Sequence, residues 1–368
     1  MSSDGAPRSL GVARGSRTSD YDYDLPPGRI ARFPAPRRDE ARLLVVGRER
    51  FTHRVFRDLL DLFRAGDVLV LNDTRVFPAR LVGAKPTGAR AEILLIRPRG
   101  EESGDPVAGY RQHWEALVRP GGKLKPGRTV DIAEGFQGLI VDSVEGGGRL
   151  VELRSARPVP DALSLHGHVP LPPYIDREDQ QLDRERYQTV YARESGSVAA
   201  PTAGLHFTRE LLDDAAVRGV AIARTLLHVG IGTFRPVEED DPGEHPMHRE
   251  AYRVEPEEAE RINAARSAGG RVWAVGTTVV RTLETLTGVD GRVRPGQGET
   301  DLFIRPPYRF RGVDGLITNF HLPRSTLLML VAAFAGYERT MDAYRVAVEE
   351  GYRFYSYGDS MVIPPSPG

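Results

Sequence analysis

The chain has 368 residues, 40% of them hydrophobic, and a formal net charge of −1, so it can bury the cores of two domains and its charge indicates no particular partner. It contains no cysteine, which excludes a disulfide framework, a thiolate zinc site and a cysteine nucleophile. No apolar run approaches the roughly 20 residues of a membrane span, so we expect a cytoplasmic protein without a membrane partner.

Residues 1–20 are polar and rich in glycine, serine and arginine, which predicts a disordered tail and not a signal peptide. Two strand-like runs follow, RLLVV (Arg42–Val46) and DVLVLN, separated by VFRDLLDLF, whose apolar residues have helical spacing. The second run continues into the polar sequence NDTR. Because open α/β sheets bind ligands beyond the carboxyl ends of their strands, Asp73 and Arg75 are candidates for substrate binding. An Asx turn at Asp73 explains the same residues equally well.

From residue 78 to residue 168 the pattern changes to short alternating runs separated by glycine and proline. The runs ARLVGAK, ARAEILLIR, QHWEALVR, RTVDIA, FQGLIVDSV and RLVELR predict a small antiparallel β-barrel inserted into another domain. The loop RPGGKLKPGR contains four cations and no acid, among them Lys123 and Lys125, so it is a candidate phosphate-binding loop. A solvated hairpin end is an equally good interpretation of this loop.

Helices and strands alternate again after residue 168. The runs VAIARTLLHVG, RVWAVG and GLITNF are typical of buried strands, and RELLDDAAVRG, EPEEAERINAARSAG, STLLMLVAAFAG and MDAYRVAVEEGY are typical of helices, the first with Thr208 as its N-cap. This alternation predicts an α/β fold. We expect a mixed-sheet α/β domain formed by residues 21–77 and 169–368 and interrupted by the small antiparallel β-barrel domain of residues 78–168.

The segment YQTVYARESGSVAAPTAGLHF, residues 187–207, has few bulky side chains after Tyr191. A loop with so many small residues lets main-chain amides approach a ligand closely, so Thr202 and Gly204 are candidate ligand contacts. Taken by itself, the segment is better explained as a surface connection. The segments that surround it in the sequence, however, favour a role in ligand binding.

Three further loops follow predicted strands and contain small or polar residues. Their candidate residues are Gly230, Gly232, Thr233, Thr277, Thr278, Asn319 and His321. The Gly-x-Gly turn resembles part of a nucleotide-binding turn but lacks its third glycine. The two threonines at positions 277 and 278 open a helix, where free N–H groups and hydroxyls can hold a carboxylate or a phosphate. An ordinary N-cap is the alternative there.

Four of the nine histidines lie beside polar loops that contain glycine, and histidine is the side chain best suited to acid–base work near neutral pH. They are His206, His228, His248 and His321. One such histidine is more often a structural residue, whereas four at successive strand ends indicate a functional role for at least one. No two of them are spaced at i, i+2 or i, i+4, so we expect no metal site.

Ten segments within residues 21–363 form a recognisable set. They are DLPPGRIARFPAPRRDEARLLVV, LVLNDTRVFPARL, WEALVRPGGKLKPG, VPLPPYI, ERYQTVYARESGSVAAPTAGLHFT, LHVGIGTFRPV, HPMHREAYRV, GTTVVRTLET, GETDLFIRPPYRFRGVDGLITNFHLPRSTLLMLVAAFAG and GYRFYSYGDSMVI. Together and in this order they resemble the S-adenosylmethionine:tRNA ribosyltransferase-isomerase family of queuosine biosynthesis.

The resemblance implies a pentosyl transferase that acts on tRNA. Members move the ribosyl part of S-adenosylmethionine onto 7-aminomethyl-7-deazaguanine at the wobble position and isomerise it to epoxyqueuosine, with release of adenine and methionine. S-adenosylmethionine is thus implied as the co-substrate and tRNA as the partner, with no metal. The resemblance also implies a monomer and an α/β domain interrupted by a β-barrel.

Residue hypotheses combine this resemblance with the chemistry. Removal of a proton beside the sulfonium needs a base, for which His206 and His228 are the candidates. The S-adenosylmethionine pocket is expected to include Thr202, Gly204, Gly230, Gly232 and Thr233, with Thr277, Thr278 and Arg281 at the methionine carboxylate and Glu299, Asp301 or Asp359 at its ammonium. The modified base and the tRNA phosphates are expected to meet Asp73, Arg75, Asn319, His321, Lys123 and Lys125. The candidates for stacking on the wobble base are Tyr308, Phe310, Tyr352 and Tyr355, and the sequence does not choose among them.

Two other classes of protein remain open from the sequence. An S-adenosylmethionine methyltransferase also has an α/β sheet and a Gly-x-Gly turn, although that turn usually comes early in the domain and here it follows residue 229. A non-catalytic RNA-binding protein would need only the basic loop. The products separate the three classes. A ribosyltransferase releases adenine plus methionine, a methyltransferase forms S-adenosylhomocysteine, and an RNA-binding protein forms no product.

Overall fold

The computed structural model describes residues 14–230 and 237–365, and the first half of this part consists mainly of strands. Its elements are β1 (Arg42–Val46), β2 (Phe51–Val55), β3 (Val68–Asn72), β4 (Thr74–Val76), β5 (Arg80–Ala84), β6 (Arg90–Asp105), β7 (Gly109–Arg119), β8 (Thr129–Ala133), β9 (Phe136–Ser143), β10 (Arg149–Ser155) and α1 (Val159–His166). The second half alternates between helices and strands. Its elements are α2 (Gln181–Arg186), β11 (Glu194–Ser197), α3 (Arg209–Val217), β12 (Ala221–Leu227), β13 (Glu250–Val254), α4 (Pro256–Ser267), β14 (Val272–Val275), α5 (Thr277–Leu286), β15 (Gly296–Thr300), β16 (Gly315–Asn319), α6 (Thr326–Ala335), α7 (Tyr337–Glu349) and β17 (Ser360–Ile363).

Nine of the described strands form one mixed sheet in the order β15-β13-β12-β3-β14-β16-β17-β1-β2. The central strands β12, β3, β14 and β16 run parallel to one another. Strand β3 has the sequence VLVLN, and all five of its residues are buried. Val68 and Val70 belong to one apolar core while Leu69 and Leu71 belong to another, because successive side chains of a strand point to opposite faces. The carboxyl ends of the four parallel strands therefore lie at one edge of the sheet.

Residues 80–155 form a second sheet of six antiparallel strands, in the order β10-β7-β6-β5-β8-β9. Its strands enclose an apolar core of their own, in which Ile93, Val130, Ile140 and Val151 are fully buried. All six predicted strands and their antiparallel pairing are confirmed. Helix α1 also packs against this core, and the sequence pattern does not predict it.

The α/β prediction is confirmed for the larger sheet, with one local error. VFRDLLDLF was predicted as a helix directly after β1, but strand β2 comes first and the helix is a short 3-10 helix, Phe56–Leu62. Strand β2 lies at the edge of the sheet and is only partly buried, so its sequence FTHRV lacks the apolar run that marks the central strands. The predicted N-cap of α3 is confirmed, since Thr208 Oγ1 accepts a hydrogen bond from the amide of Leu211 at 3.1 Å.

Residues 14–20, which the sequence placed in the tail, make contacts with the rest of the chain. The amide of Thr18 donates to the carbonyl of Asp240 at 3.0 Å, and the hydroxyl of Tyr21 donates to the carbonyl of Gly15 at 2.8 Å. None of the helices in residues 14–230 and 237–365 combines the length and the apolar character needed to cross a membrane.

Candidate ligand cavity

A small cavity lies at the edge of the large sheet where β14 and β16 end. Its lining consists of Tyr174, Val229 and residues 199–203, 276–278, 318–322, 325, 327 and 355–356. Five of the predicted site residues meet there, namely Thr202, Thr277, Thr278, Asn319 and His321. Loops that are separated by more than a hundred residues of sequence thus form one wall, as expected for an open α/β sheet.

The N-terminus of α5 faces this cavity. Gly276 is the N-cap residue and has a φ of 91°, a backbone conformation that favours glycine, and no side chain caps the helix. The first amides of a helix have no acceptor within the helix, so those of Thr277 and Thr278 are available to a ligand. The hydroxyl Oγ1 of Thr278 accepts a hydrogen bond from Asn72 Nδ2 at 3.3 Å, which fixes the start of α5 to the end of β3.

Asn319, the last residue of β16, connects the cavity to His206. Its Nδ2 lies 3.1 Å from Nε2 of His206 and 3.1 Å from the carbonyl oxygen of Tyr355. Burial, reinforced by the guanidinium groups of Arg353 and Arg38, lowers the pKa of His206 to about 3. His206 is therefore neutral at physiological pH. It does not line the cavity itself but contacts Asn319, which does.

His321 lines the cavity directly. Its Nε2 lies 2.8 Å from Oγ1 of Thr318, and its backbone amide donates to the hydroxyl of Tyr344 at 2.8 Å. Burial lowers the pKa of His321 to about 3, so this ring is also neutral at physiological pH.

Two tyrosines, of which the sequence predicts only one, form an aromatic wall of the cavity. The rings of Tyr174 and Tyr355 lie 4.6 Å apart, and the Tyr174 hydroxyl is 2.7 Å from Oγ of Ser356. Tyr355 has a φ of 70°, which is rare for a residue other than glycine and is often found at functional sites. Tyr355 is among the aromatic candidates from the sequence, and Tyr174 is not. Tyr174 is in the proline-rich run PLPPYI, which gave no sign of a site.

His228 occupies a different position, where it packs against the paired strands β4 and β11. Its Nδ1 is 2.9 Å from Oγ1 of Thr74, and its ring packs so closely on Gly196 that a Cβ there would be 2.5 Å from the imidazole. Burial lowers the pKa of His228, with nearby Glu194 opposing the shift. His228 does not line the cavity, although Val229, which follows it, does.

Arg281 is buried beside the cavity and its guanidinium group is already bound. It forms an ion pair with Glu250, and Arg281 Nε donates to the carbonyl of Leu302 at 3.0 Å. Glu250 in turn accepts a hydrogen bond from the amide of Gly230 at 3.1 Å. Arg281 thus supports the loop after β12. The predicted contacts Gly232 and Thr233 lie outside the described residues.

The three predicted partners of the methionine ammonium do not line the cavity. Glu299 and Asp301 are exposed and lie near Arg97 and Arg249, at 3.9 Å and 3.5 Å. The carboxylate of Asp359 is buried, where it accepts hydrogen bonds from the amides of Arg42 at 3.0 Å and Arg353 at 2.8 Å. Gly204 also lies outside the lining, where a Cβ would be 2.0 Å from the Tyr191 hydroxyl, so this glycine serves close packing.

The remaining predicted substrate contacts are on other surfaces. Asp73 is half-buried and lines a polar cleft together with Arg193 and Glu194. Burial raises the pKa of Asp73. Arg75 is exposed, as are Lys123 and Lys125 in the loop after β7. Residues 14–230 and 237–365 contain no group of three or more His, Asp or Glu side chains that could hold a metal ion.

The fold and the cavity define an α/β protein that has a cavity at its strand ends and an inserted antiparallel sheet. A sequence model of the queuosine biosynthesis protein family matches residues 18–363. The chain is 54% identical over 351 residues to the S-adenosylmethionine:tRNA ribosyltransferase-isomerase of Symbiobacterium thermophilum, covering 94% of this chain and 99% of that protein. A protein of the same name from Moorella thermoacetica is 53% identical over 352 residues, covering 94% and 99%.

A solved structure extends the similarity to the fold. The crystal structure of S-adenosylmethionine tRNA ribosyltransferase from Thermotoga maritima matches with a TM-score of 0.50 and 39% identity, covering 93% of this chain and 99% of that one. The chain therefore belongs to the queuosine biosynthesis protein family.

Proposed function

We propose that this protein transfers and isomerises the ribosyl part of S-adenosylmethionine onto 7-aminomethyl-7-deazaguanine at the wobble position of tRNA. The products are epoxyqueuosine in tRNA, adenine and methionine. The observation that carries the proposal is the 54% identity, over 94% of the chain, to a relative named for this activity. The cavity at the ends of β14 and β16 supports it, because it offers one place where a nucleoside could be bound.

The reaction makes three demands on the site. A base must remove a proton from the carbon next to the sulfonium, adenine must leave, and the amine of the modified base must attack the ribose before methionine departs. His206 and His228 are our candidates for the proton transfer, because burial keeps both rings neutral at physiological pH. His206 reaches the cavity only through Asn319, whereas His228 is adjacent to the cavity residue Val229.

The donor S-adenosylmethionine is proposed to occupy the cavity, with Thr202, Thr277 and Thr278 in its wall. Arg281 would act indirectly, since its ion pair with Glu250 holds the loop after β12. The modified base would enter beside His321, with Tyr355 as the stacking partner among the aromatic candidates. Glu299, Asp301, Asp359, Asp73 and Arg75 stay predictions, as do Gly204, Gly230, Gly232 and Thr233.

We also propose that residues 78–168 form a closed β-barrel domain inserted between residues 21–77 and 169–368, within a monomeric enzyme. The pairing of Ala84 with Asp131 supports closure, because it joins β5 to β8 and leaves each of the six strands with two neighbours. The cations of the loop after β7, Lys123 and Lys125 among them, would contact tRNA phosphates.

The test is an assay of purified protein with S-adenosylmethionine and tRNA that contains the 7-aminomethyl-7-deazaguanine base. We expect adenine and methionine to be released in equal amounts, and only when the modified tRNA is present. Formation of S-adenosylhomocysteine would indicate a methyltransferase instead. Binding of tRNA without any release of adenine would indicate a non-catalytic RNA-binding protein.

A further inference from the structure

Asn319 is buried in the cavity wall with only one half of its amide group hydrogen-bonded. Its Nδ2 is 3.1 Å from His206 Nε2, 3.1 Å from the carbonyl of Tyr355 and 3.5 Å from that of Asp359. Two carbonyl oxygens facing the same atom fix it as the NH₂ group, because two oxygens could not face another oxygen. The other atom, Oδ1, is buried and has no hydrogen-bond partner among the described residues.

A buried acceptor without a partner is costly, and most buried polar groups in proteins are paired. When such an atom belongs to a residue that lines a cavity, a ligand is the natural source of the missing donor. Asn319 can offer that ligand only an acceptor, since its NH₂ group is committed to the protein. The ligand group at Asn319 must therefore carry an N–H or O–H.

The cavity does not suit a charged group at this position. None of the described residues in its lining is Asp, Glu, Lys or Arg, and the lining histidine, His321, is neutral at physiological pH. Small apolar residues, hydroxyls and the Tyr174–Tyr355 pair make up most of the wall. A buried ammonium or carboxylate without a partner of opposite charge is strongly unfavourable, whereas an aromatic heterocycle is well accommodated.

The same cavity supplies hydrogen-bond donors from α5. The amides of Thr277 and Thr278 begin this ten-residue helix, and no side chain caps it. A ligand that binds both groups needs an N–H group for Asn319 and an acceptor lone pair for the α5 amides. A 6-aminopurine has both, because its exocyclic amino group donates and its ring nitrogens accept.

On the basis of the proposed function, we propose that this cavity binds the adenine base of S-adenosylmethionine. Asn319 Oδ1 accepts a hydrogen bond from the 6-amino group, and the first amides of α5 donate to a ring nitrogen. The assignment gives α5 a role in the reaction, since helix N-terminal amides stabilise the negative charge that develops on a departing adenine. In this assignment Asn319 binds the purine of the donor and not the tRNA base. The α5 amides also bind that purine and not the methionine carboxylate.

The first test compares ligands on the unaltered full-length protein. Calorimetric titrations would measure the dissociation constants of adenine, hypoxanthine and methionine. Hypoxanthine has an oxygen in place of the 6-amino group and would place an acceptor against Asn319 Oδ1. We expect adenine to bind at least about tenfold more tightly than hypoxanthine, as for the loss of one buried hydrogen bond. Equal affinities, or no binding of adenine at millimolar concentration, would overturn the proposal.

The second test uses a matched pair of variants. Asn319→Ser removes the amide oxygen and leaves only a shorter hydroxyl, and the preference for adenine should then fall to about twofold or less. Asn263→Ser is the control, because Asn263 is also buried but both of its amide atoms bind the backbone of Val293. It should lower the thermal stability and leave the preference unchanged. A preference retained in Asn319→Ser, or a loss of methionine binding instead of adenine binding, contradicts the proposal.

These outcomes are separate from those of the adenine-release assay. Release of adenine from S-adenosylmethionine without any preference for adenine over hypoxanthine would leave the proposed function intact and remove the purine assignment. A clear preference for adenine without turnover on modified tRNA would remove the proposed function and keep the purine site.

Discussion

Nε2 of His206 lies 3.1 Å from Nδ2 of Asn319, so a histidine behind the cavity orients the amide that lines it. Because Nδ2 is the donor, Nε2 of His206 is the acceptor and the ring proton must be on Nδ1. The pair couples the sequence run APTAGLHF to the end of β16, more than a hundred residues away. His206 can therefore affect the reaction in two ways, through proton transfer or by holding Asn319.

The first prediction separates these two roles. His206→Ala should lower the rate of adenine release at least about hundredfold while leaving tRNA affinity largely intact. A pKa near 3 makes His206 a poor proton acceptor at neutral pH, so we expect His206→Gln, which can still accept the bond from Asn319, to recover most of the activity. Equal activity of the Ala variant and the unaltered enzyme removes His206 from the mechanism. An inactive Gln variant with intact tRNA binding would instead favour proton transfer.

The second prediction concerns His228. A base must be unprotonated to act, so the rate of adenine release should rise as the pH increases through the pKa of His228. Burial lowers that pKa, which places the midpoint of the rise below the ordinary histidine value of 6.5. His228→Asn should abolish this acid limb in single-turnover measurements. An unchanged limb in the variant would exclude His228 as the base.

The third prediction is a pH dependence of stability. Burial lowers the pKa values of His206 and His321 to about 3, whereas both histidines titrate near 6.5 in the unfolded chain. Between these values the unfolded chain binds more protons, so stability is complete above about pH 6.5 and decreases as the pH falls toward 3. Each histidine should contribute a slope of about 1.4 kcal/mol per pH unit in the middle of this range. Urea unfolding at several pH values measures the slope, and His321→Gln should lower it by about 1.4 kcal/mol per pH unit, the contribution of one histidine.

The fourth prediction tests the N-cap of α3. Thr208→Ala removes the acceptor of the Leu211 amide and should lower the free energy of unfolding by about 1 kcal/mol, measured by urea denaturation. Thr208→Ser keeps the hydroxyl and serves as the control, with a change of only a few tenths of a kcal/mol. Adenine release should be the same in both variants, because α3 does not line the cavity. Equal losses of stability in the two variants would contradict a capping role.

The fifth prediction concerns the basic loop after β7. Replacing Lys123 and Lys125 together with Ala should weaken tRNA binding and lower the slope of log K against log salt by about 1 to 2. Arg111→Ala is the control, because Arg111 is an exposed cation near the other end of β7. Filter binding at several salt concentrations measures both. A slope that changes equally in the control would show that the effect is one of net charge and not of this loop.

Local sequence patterns correctly predicted the central strands, the six strands of the inserted sheet and the N-cap at Thr208. These features depend on residues close in sequence. The first four residues of VLVLN are apolar because β3 is covered on both faces, and Thr208 binds an amide three residues away. The same patterns failed at β2 and α1. Strand β2 is a partly exposed edge, and α1 is a short helix within a run of strands.

The sequence by itself determined the family, the alternation of helices and strands, and the loops that hold Thr202, Thr277, Thr278, Asn319 and His321. Only the tertiary structure decided which of these loops meet, because parallel strand order and not chain order sets the neighbours at a sheet edge. It also decided that Arg281 and Asp359 are already paired inside the protein and that Tyr174 joins Tyr355. Among the described residues that line the cavity, only Asn319 has a buried side-chain oxygen without a hydrogen-bond partner. Pairing of this kind depends on residues distant in sequence, which no local pattern can reveal.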